Sequence, residues 1–166
     1  LRRQRQMCIR DRFTYGTETK KFTAGEEFTI TQDSKYLEAG SLTIRPMTAD
    51  GKITLASLER GYGSPSYRGS IEVIKTEHGL VLVNELPLEQ YLYAVVPSEM
   101  PYTNQTEALK AQAVCARSFA WRQMRSNSYK AYGADVDDTT AFQVYHMAGE
   151  DERTRRAVDR TAGKKV

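Results

Sequence analysis

Pro97-Ser98-Glu99-Met100-Pro101 sets one carboxylate between two prolines. Proline fixes its own φ and pushes the preceding residue toward extended geometry, so the spacing predicts a stiff loop in which Glu99 has a defined direction. A positioned general acid needs such stiffness. It also needs a pKa raised toward neutrality, which the apolar neighbours Val95, Val96 and Met100 could supply by desolvation. The alternative is that Glu99 caps or salt-bridges the helix that follows. Arg117 is the second candidate, because a guanidinium midway along an alanine-rich helix is costly to bury unless it is paired or meets an anionic ligand. Lys110, Val114, Arg117 and Trp121 follow one another at steps of four, three and four residues, which puts them on one helical stripe. Two basic groups with an aromatic suit sugar binding, and they equally suit a solvated helix face.

Other reactive side chains form no recognisable constellation. His78 and His146 lie far apart, have no acid or thiol at metal spacing, and are expected at surface or turn positions. Asp135, Asp137 and Asp138 cluster, but without the glycine and terminal glutamate of a calcium-binding loop, so they read as solvated loop acids. No glycine-rich phosphate loop and no serine nucleophile elbow occurs.

Elements able to hold these groups follow from the pattern. Short strands are predicted over 27–31, 41–45, 52–55, 70–74 and 80–83, separated by turn clusters at Asp50-Gly51, Gly61-Tyr62-Gly63-Ser64-Pro65 and His78-Gly79. The last two strands, joined through Thr76-Glu77-His78-Gly79, read as a hairpin. From Leu88 the period becomes helical, briefly to Val95 and then over about 105–124. For the long helix, Asn104 with Glu107 three residues on predicts a capping box. Its small residues Ala108, Ala111, Ala113, Cys115, Ala116 and Ala120 predict a central helix closely approached by its neighbours. Residues 127–138 read as loop, 142–145 as a short strand or turn, and 151–161 as a second helix. Strands followed by helices argue for an α+β domain: a β-rich N-terminal part with hairpins, then a helical core around one long alanine-rich helix.

Composition permits such a fold, with 40% hydrophobic and 10% aromatic residues among 166. The net charge of +3 is misleading about partners. Residues 1–12 hold five arginines against Asp11, a balance of +4, which leaves −1 for the rest of the chain and gives no basic surface for nucleic acid. The run from Arg2 to Asp11 also back-translates, codon by codon, into a transposon-type sequencing adapter. Residues 1–12 are therefore expected to be an adapter artefact with no fold, and the true N-terminus, with any signal peptide or membrane anchor, to be missing. Without that leader Cys115 is the single cysteine, which excludes an internal disulfide and a cysteine-based metal site. No run of about 18 apolar residues is present.

Taken together, several blocks resemble the SpoIID family in order and spacing: Tyr67-Arg68-Gly69; Val83-Asn84-Glu85-Leu86-Pro87-Leu88-Glu89-Gln90-Tyr91-Leu92; Val95-Val96-Pro97-Ser98-Glu99-Met100-Pro101; and Glu107-Ala108-Leu109-Lys110-Ala111-Gln112-Ala113-Val114-Cys115-Ala116-Arg117-Ser118. Ala134-Asp135-Val136, Phe142-Gln143-Val144-Tyr145 and Ala157-Val158-Asp159-Arg160-Thr161-Ala162-Gly163 complete the series. The resemblance covers 67–166 and leaves 13–66 as a β-rich segment of unassigned role. It implies a peptidoglycan lytic transglycosylase that acts outside the cytoplasm, in sporulation or wall turnover, on glycan strands stripped of stem peptides. It also implies Glu99 as catalytic acid, with Arg117, Lys110, Gln112, Gln143 and Tyr145 binding substrate. No cofactor is implied. Some members bind zinc through loop cysteines, and here Asp137 and Phe142 stand near those positions, so no metal is expected. The part that follows the Thr-x-Gly block in the family, which would complete the groove, is expected to be missing. Within the family the alternative is a non-catalytic wall-binding module of the amidase-enhancer type, with a cell-wall amidase as its partner. Outside it, an unrelated α+β binding domain could carry the same blocks.

Overall fold

The computed structural model describes residues 4–6, 10–23, 25–126 and 129–166. The fold is α+β, as expected, and divides into two compact units. One comprises Leu1–Glu59 and Gly63–Leu86, the other Arg60–Tyr62 and Pro87–Val166. The division after Leu86 differs from the boundary expected at 66/67.

The first unit is built on antiparallel strands: β1 (Gln4–Gln6), β2 (Arg10–Tyr15), β3 (Glu18–Thr23), β4 (Ser41–Pro46), β5 (Ile53–Leu55), β6 (Ser66–Tyr67), β7 (Ser70–Thr76) and β8 (Gly79–Glu85). A five-stranded sheet runs β3-β2-β4-β7-β8, and a three-stranded one runs β1-β5-β6. Along β4, Leu42 and Ile44 are buried while their neighbours are not, the period-two pattern of a sheet with one face on a core. Phe13 closes that core, its ring 4.2 Å from Phe22 and 4.1 Å from Phe28. The expected β7–β8 hairpin forms, with Thr76 opposite Gly79.

Two expectations fail here. Residues 27–31 form no strand beyond a single bridge at Phe28. Their apolar alternation reflects burial of Ile30 and ring contacts of Phe28 from a loop, which the pattern alone does not separate from a strand. Residues 1–12, expected to have no fold, include β1, paired with β5, and the first part of β2, paired with β3 and β4. Ladder bonds are made by the main chain, so once the fully buried Phe13 fixes β2, the strand extends backward whatever side chains it carries.

The second unit packs α1 (Leu88–Glu99), α2 (Thr106–Gln123) and α3 (Glu152–Arg160) around Leu92, Val95, Val96, Leu109, Ala113, Ala116, Ala120, Ala157 and Val158. On α2 the buried positions recur at steps of three and four, while Ala111 and Cys115 are exposed, so one face is covered rather than the whole helix. The predicted capping box does not form. Gln105 is the N-cap and makes no side-chain bond to the helix, Asn104 Nδ2 donates to the Pro101 carbonyl, and Glu107 accepts from Lys110. The short helix predicted to end near Val95 continues through Pro97 to Glu99, so the proline-flanked loop is instead the last turn of α1. A cap does form on α3, where Asp151 Oδ1 accepts the Arg153 and Thr154 amides at 2.8 and 3.3 Å. Among the described residues, no helix is long and apolar enough to cross a membrane.

Two of the sequence blocks meet in the sheet unit. Asn84 Nδ2 donates to the carbonyls of Arg68 and Ser70, at 2.8 and 3.0 Å, so it brackets Gly69. Gly69 has φ +73°, and a Cβ there would run into the Glu85 carbonyl and stand 2.7 Å from Leu86 Cβ. Both the backbone angle and the space demand glycine. Gly69→Ala is expected to cost about 2–4 kcal/mol, read as a lower urea midpoint with an unchanged m-value. A loss under about 0.5 kcal/mol, the size of an ordinary surface change, would contradict this role.

Candidate active site

The last turn of α1 and the segment 143–148 form one structure. Pro97 removes a donor from the helix, and Ser98 Oγ donates to the Ala94 carbonyl at 2.6 Å in the same turn. The same oxygen accepts the Met147 and Ala148 amides at 3.0 and 3.1 Å. One residue on, Glu99 Oε1 accepts the Val144 amide at 2.8 Å. Two adjacent side chains of α1 thus clasp one remote segment at two points.

Behind the clasp lies a wall of buried polar and aromatic groups. Tyr91 stacks on Tyr145 with centroids 5.0 Å apart, and its hydroxyl donates to Gln143 Oε1 at 3.3 Å. Gln143 Nε2 in turn donates to the Ala116 carbonyl of α2 at 3.3 Å. Burial, and then the negative charges of Glu99 and Asp137, push the Tyr91 hydroxyl well above the ordinary tyrosine range, so it stays a neutral donor. His146 is buried with φ +56°, an uncommon backbone state for any residue but glycine, and its Nδ1 is hydrogen-bonded to Tyr62 Oη at 3.0 Å. This corrects the expectation of a surface position for His146, although the turn is there. His78 does occupy an exposed hairpin turn.

Glu99 itself is exposed, and its buried neighbours Val95 and Val96 face the helical core rather than enclosing the carboxylate. What the structure provides is orientation. The Val144 amide holds Oε1, and none of the described residues donates to Oε2.

The remaining site candidates fall in three places. Gln143 and Tyr145 are brought to Glu99, but at 6% and 7% exposure they form its wall. Lys110 pairs with Glu107 at 2.7 Å on α2, and Gln112 is half-buried on the same helix. Arg117 is 1% exposed, and Glu99 is not among its partners. Its Nε and Nη2 bind Glu89 Oε1 and Oε2 of α1 at 2.8 and 2.7 Å. Further bonds reach the carbonyls of Ala113, Val158 and Lys164, and Thr161 Oγ1. Sequence reasoning missed Glu89, Tyr91 and Ser98. Glu89 was findable in principle, since a buried arginine requires a carboxylate.

Two of the three loop acids are bonded as well. Asp137 accepts from Tyr129 Oη, Thr139 N and Thr139 Oγ1 at 2.7–2.9 Å, and Asp138 accepts from Arg60 at 2.6 Å. Desolvation alone would raise the Asp137 pKa, but the bonds from Thr139 and Tyr129 outweigh it and hold the carboxyl below its usual range. Among the described residues no group of three histidine, cysteine, aspartate or glutamate side chains is arranged to hold a metal ion.

Comparison with known proteins places these residues in a family context. Residues 76–166, more than half the chain, match the family model SpoIID, described as Stage II sporulation protein. Stage II sporulation protein D of Bacillus subtilis (strain 168) is 49% identical over 83 residues, 49% of this chain and 24% of the relative. That of Bacillus amyloliquefaciens is 47% identical over 78 residues, 46% of this chain and 22% of the relative. A protein named Amidase enhancer from Bacillus subtilis (strain 168) is 46% identical over 73 residues, 44% of this chain and 9% of the relative. The matched part thus spans about a quarter of either sporulation protein. No solved structure matches.

Arg117→Ala strands Glu89 and several carbonyls, and is expected to cost about 3 kcal/mol, read by chemical denaturation. For Glu89, burial raises the pKa but the bonds from Arg117 and the Gly163 amide lower it more, so the folded value lies below the unfolded one. Its contribution is therefore complete above about pH 4.3 and is lost as pH falls through the depressed folded value. Melting temperatures of the parent and Glu89→Gln should differ most near neutrality and converge in acid. A gap that stays constant down to pH 2 would contradict this.

Proposed function

This chain belongs to the SpoIID family, and from that premise we propose that it is a peptidoglycan lytic transglycosylase, with Glu99 as its acid, cleaving the bond between N-acetylmuramic acid and N-acetylglucosamine. The observation that carries the reading is the Glu99 side chain: exposed, held at Oε1 by the Val144 amide, and backed by the wall of Tyr91, Gln143 and Tyr145. A glycosidase that uses water needs two carboxylates flanking the bond. A lytic transglycosylase needs one. Glu99 donates its Oε2 proton to the glycosidic oxygen as the C1–O bond of the muramic acid breaks. The resulting carboxylate takes the proton from the C6 hydroxyl of the same sugar, whose oxygen closes on C1. The products are a 1,6-anhydro ring and a free hydroxyl on the leaving sugar, with Glu99 again protonated.

In this reading Gln143 and Tyr145 form the wall of the site, Lys110 and Gln112 contact the strand from α2, and Arg117 acts as a strut between helices. The substrate is glycan stripped of stem peptides, met outside the cytoplasm. A second reading, a non-catalytic module that binds wall glycan and assists an amidase, is favoured by the relative named Amidase enhancer.

Incubating the chain and its Glu99→Gln variant with peptide-free glycan strands separates the two. Mass spectrometry should show anhydro-terminated fragments from the parent and a rate lower by about a thousandfold from the variant. A folded parent that binds the strands without cutting them would favour the accessory module.

A further inference from the structure

The segment Arg60–Tyr62 is remote in sequence from the helices but belongs to their unit. Arg60 is tied to the 138–147 region by Nη2 on Asp138 Oδ2 at 2.6 Å and Nη1 on Met147 Sδ at 3.5 Å. Tyr62 is anchored through its hydroxyl to His146, and the Cδ2–Cε2 edge of its ring lies beside Gly149, where an added Cβ would stand 3.6 Å away. Tethered in this way, Tyr62 is still 41% exposed.

The location of that ring gives it a use. His146 lies between Val144, whose amide holds Glu99, and Met147, whose amide is held by Ser98. The ring is therefore anchored to the same clasp that orients the acid. Sugar rings present flat faces of C–H bonds between their hydroxyls, and an aromatic face packs against them. A tyrosine already fixed at its hydroxyl loses little rotamer freedom in doing so. The geometry points to Tyr62 as a sugar-stacking residue beside Glu99, binding a pyranose of the glycan strand. It rests on the transglycosylase reading, and deepens it by placing a substrate subsite on a segment that the sequence marks only as a turn.

Binding of peptide-free glycan strands, measured by calorimetry on the Glu99→Gln chain to prevent turnover, tests this. Adding Tyr62→Ala or Tyr62→Leu should weaken binding at least about tenfold, whereas Tyr62→Phe and Tyr62→Trp, which keep an aromatic face, should recover most of the affinity. Thermal melts of each variant confirm that folded protein is compared. Binding by Tyr62→Leu equal to that of Tyr62→Phe, or a loss in Tyr62→Phe as large as in Tyr62→Ala, would overturn the stacking role, the second by assigning the effect to the hydroxyl tether. If Glu99→Gln with Tyr62 intact fails to bind glycan, the functional reading itself falls, and the Tyr62 subsite with it.

Discussion

A buried guanidinium has to be neutralised, and the helical unit is arranged around that requirement. Arg117 sits mid-helix on α2 at 1% exposure, and its fork meets both oxygens of Glu89 on α1. Its remaining donors reach the end of α3 and the segment after it. Three helices and the following turn are thereby held to one planar group with little positional freedom. Such a pair gains little over a well-packed apolar core, but losing either partner is expensive, so it serves to specify how the helices meet. The small side chains of Ala113, Ala116 and Ala120 then let neighbouring helices approach α2 closely.

That fixed junction matters because Glu89 and Glu99 lie on one helix. Orienting α1 at its first turn orients its last, where Ser98 and Glu99 take hold of 144–148. The acid side chain contributes to its own support: the bond that fixes Oε1 also pins the segment carrying Tyr145 and His146. Gln143 links that segment to both α1 and α2 through Tyr91 and the Ala116 carbonyl. An exposed carboxylate on an unsupported helix end would sample many directions, and this one is limited by its bond to Val144.

The sequence made the fold class legible because period-two and helical patterns occupy different halves of the chain, the β7–β8 hairpin appears where its turn residues place it, and α3 lies within the predicted 151–161. Glu99 and Arg117 were also legible as residues of consequence, by family resemblance and by the cost of burying arginine. Their settings were not. Two prolines around Glu99 read as a loop, whereas Pro97 is tolerated in the last turn of α1. The stripe of Lys110 and Arg117 proved to join an exposed ion pair and a buried one, because helical spacing reports a shared side and not the depth of each residue. Tyr62 and His146, 84 residues apart, meet by tertiary packing that no local pattern encodes.

One experiment bears most directly on the claim that a single oriented carboxyl suffices: cleavage of peptide-free glycan strands in water enriched in the heavy isotope of oxygen, with mass analysis of the new muramic acid ends. If Glu99 acts alone and the sugar supplies its own nucleophile, the new ends carry no label. Heavy oxygen at C1 in the initial products would show that water attacks, which requires a second carboxylate and contradicts the single-acid account.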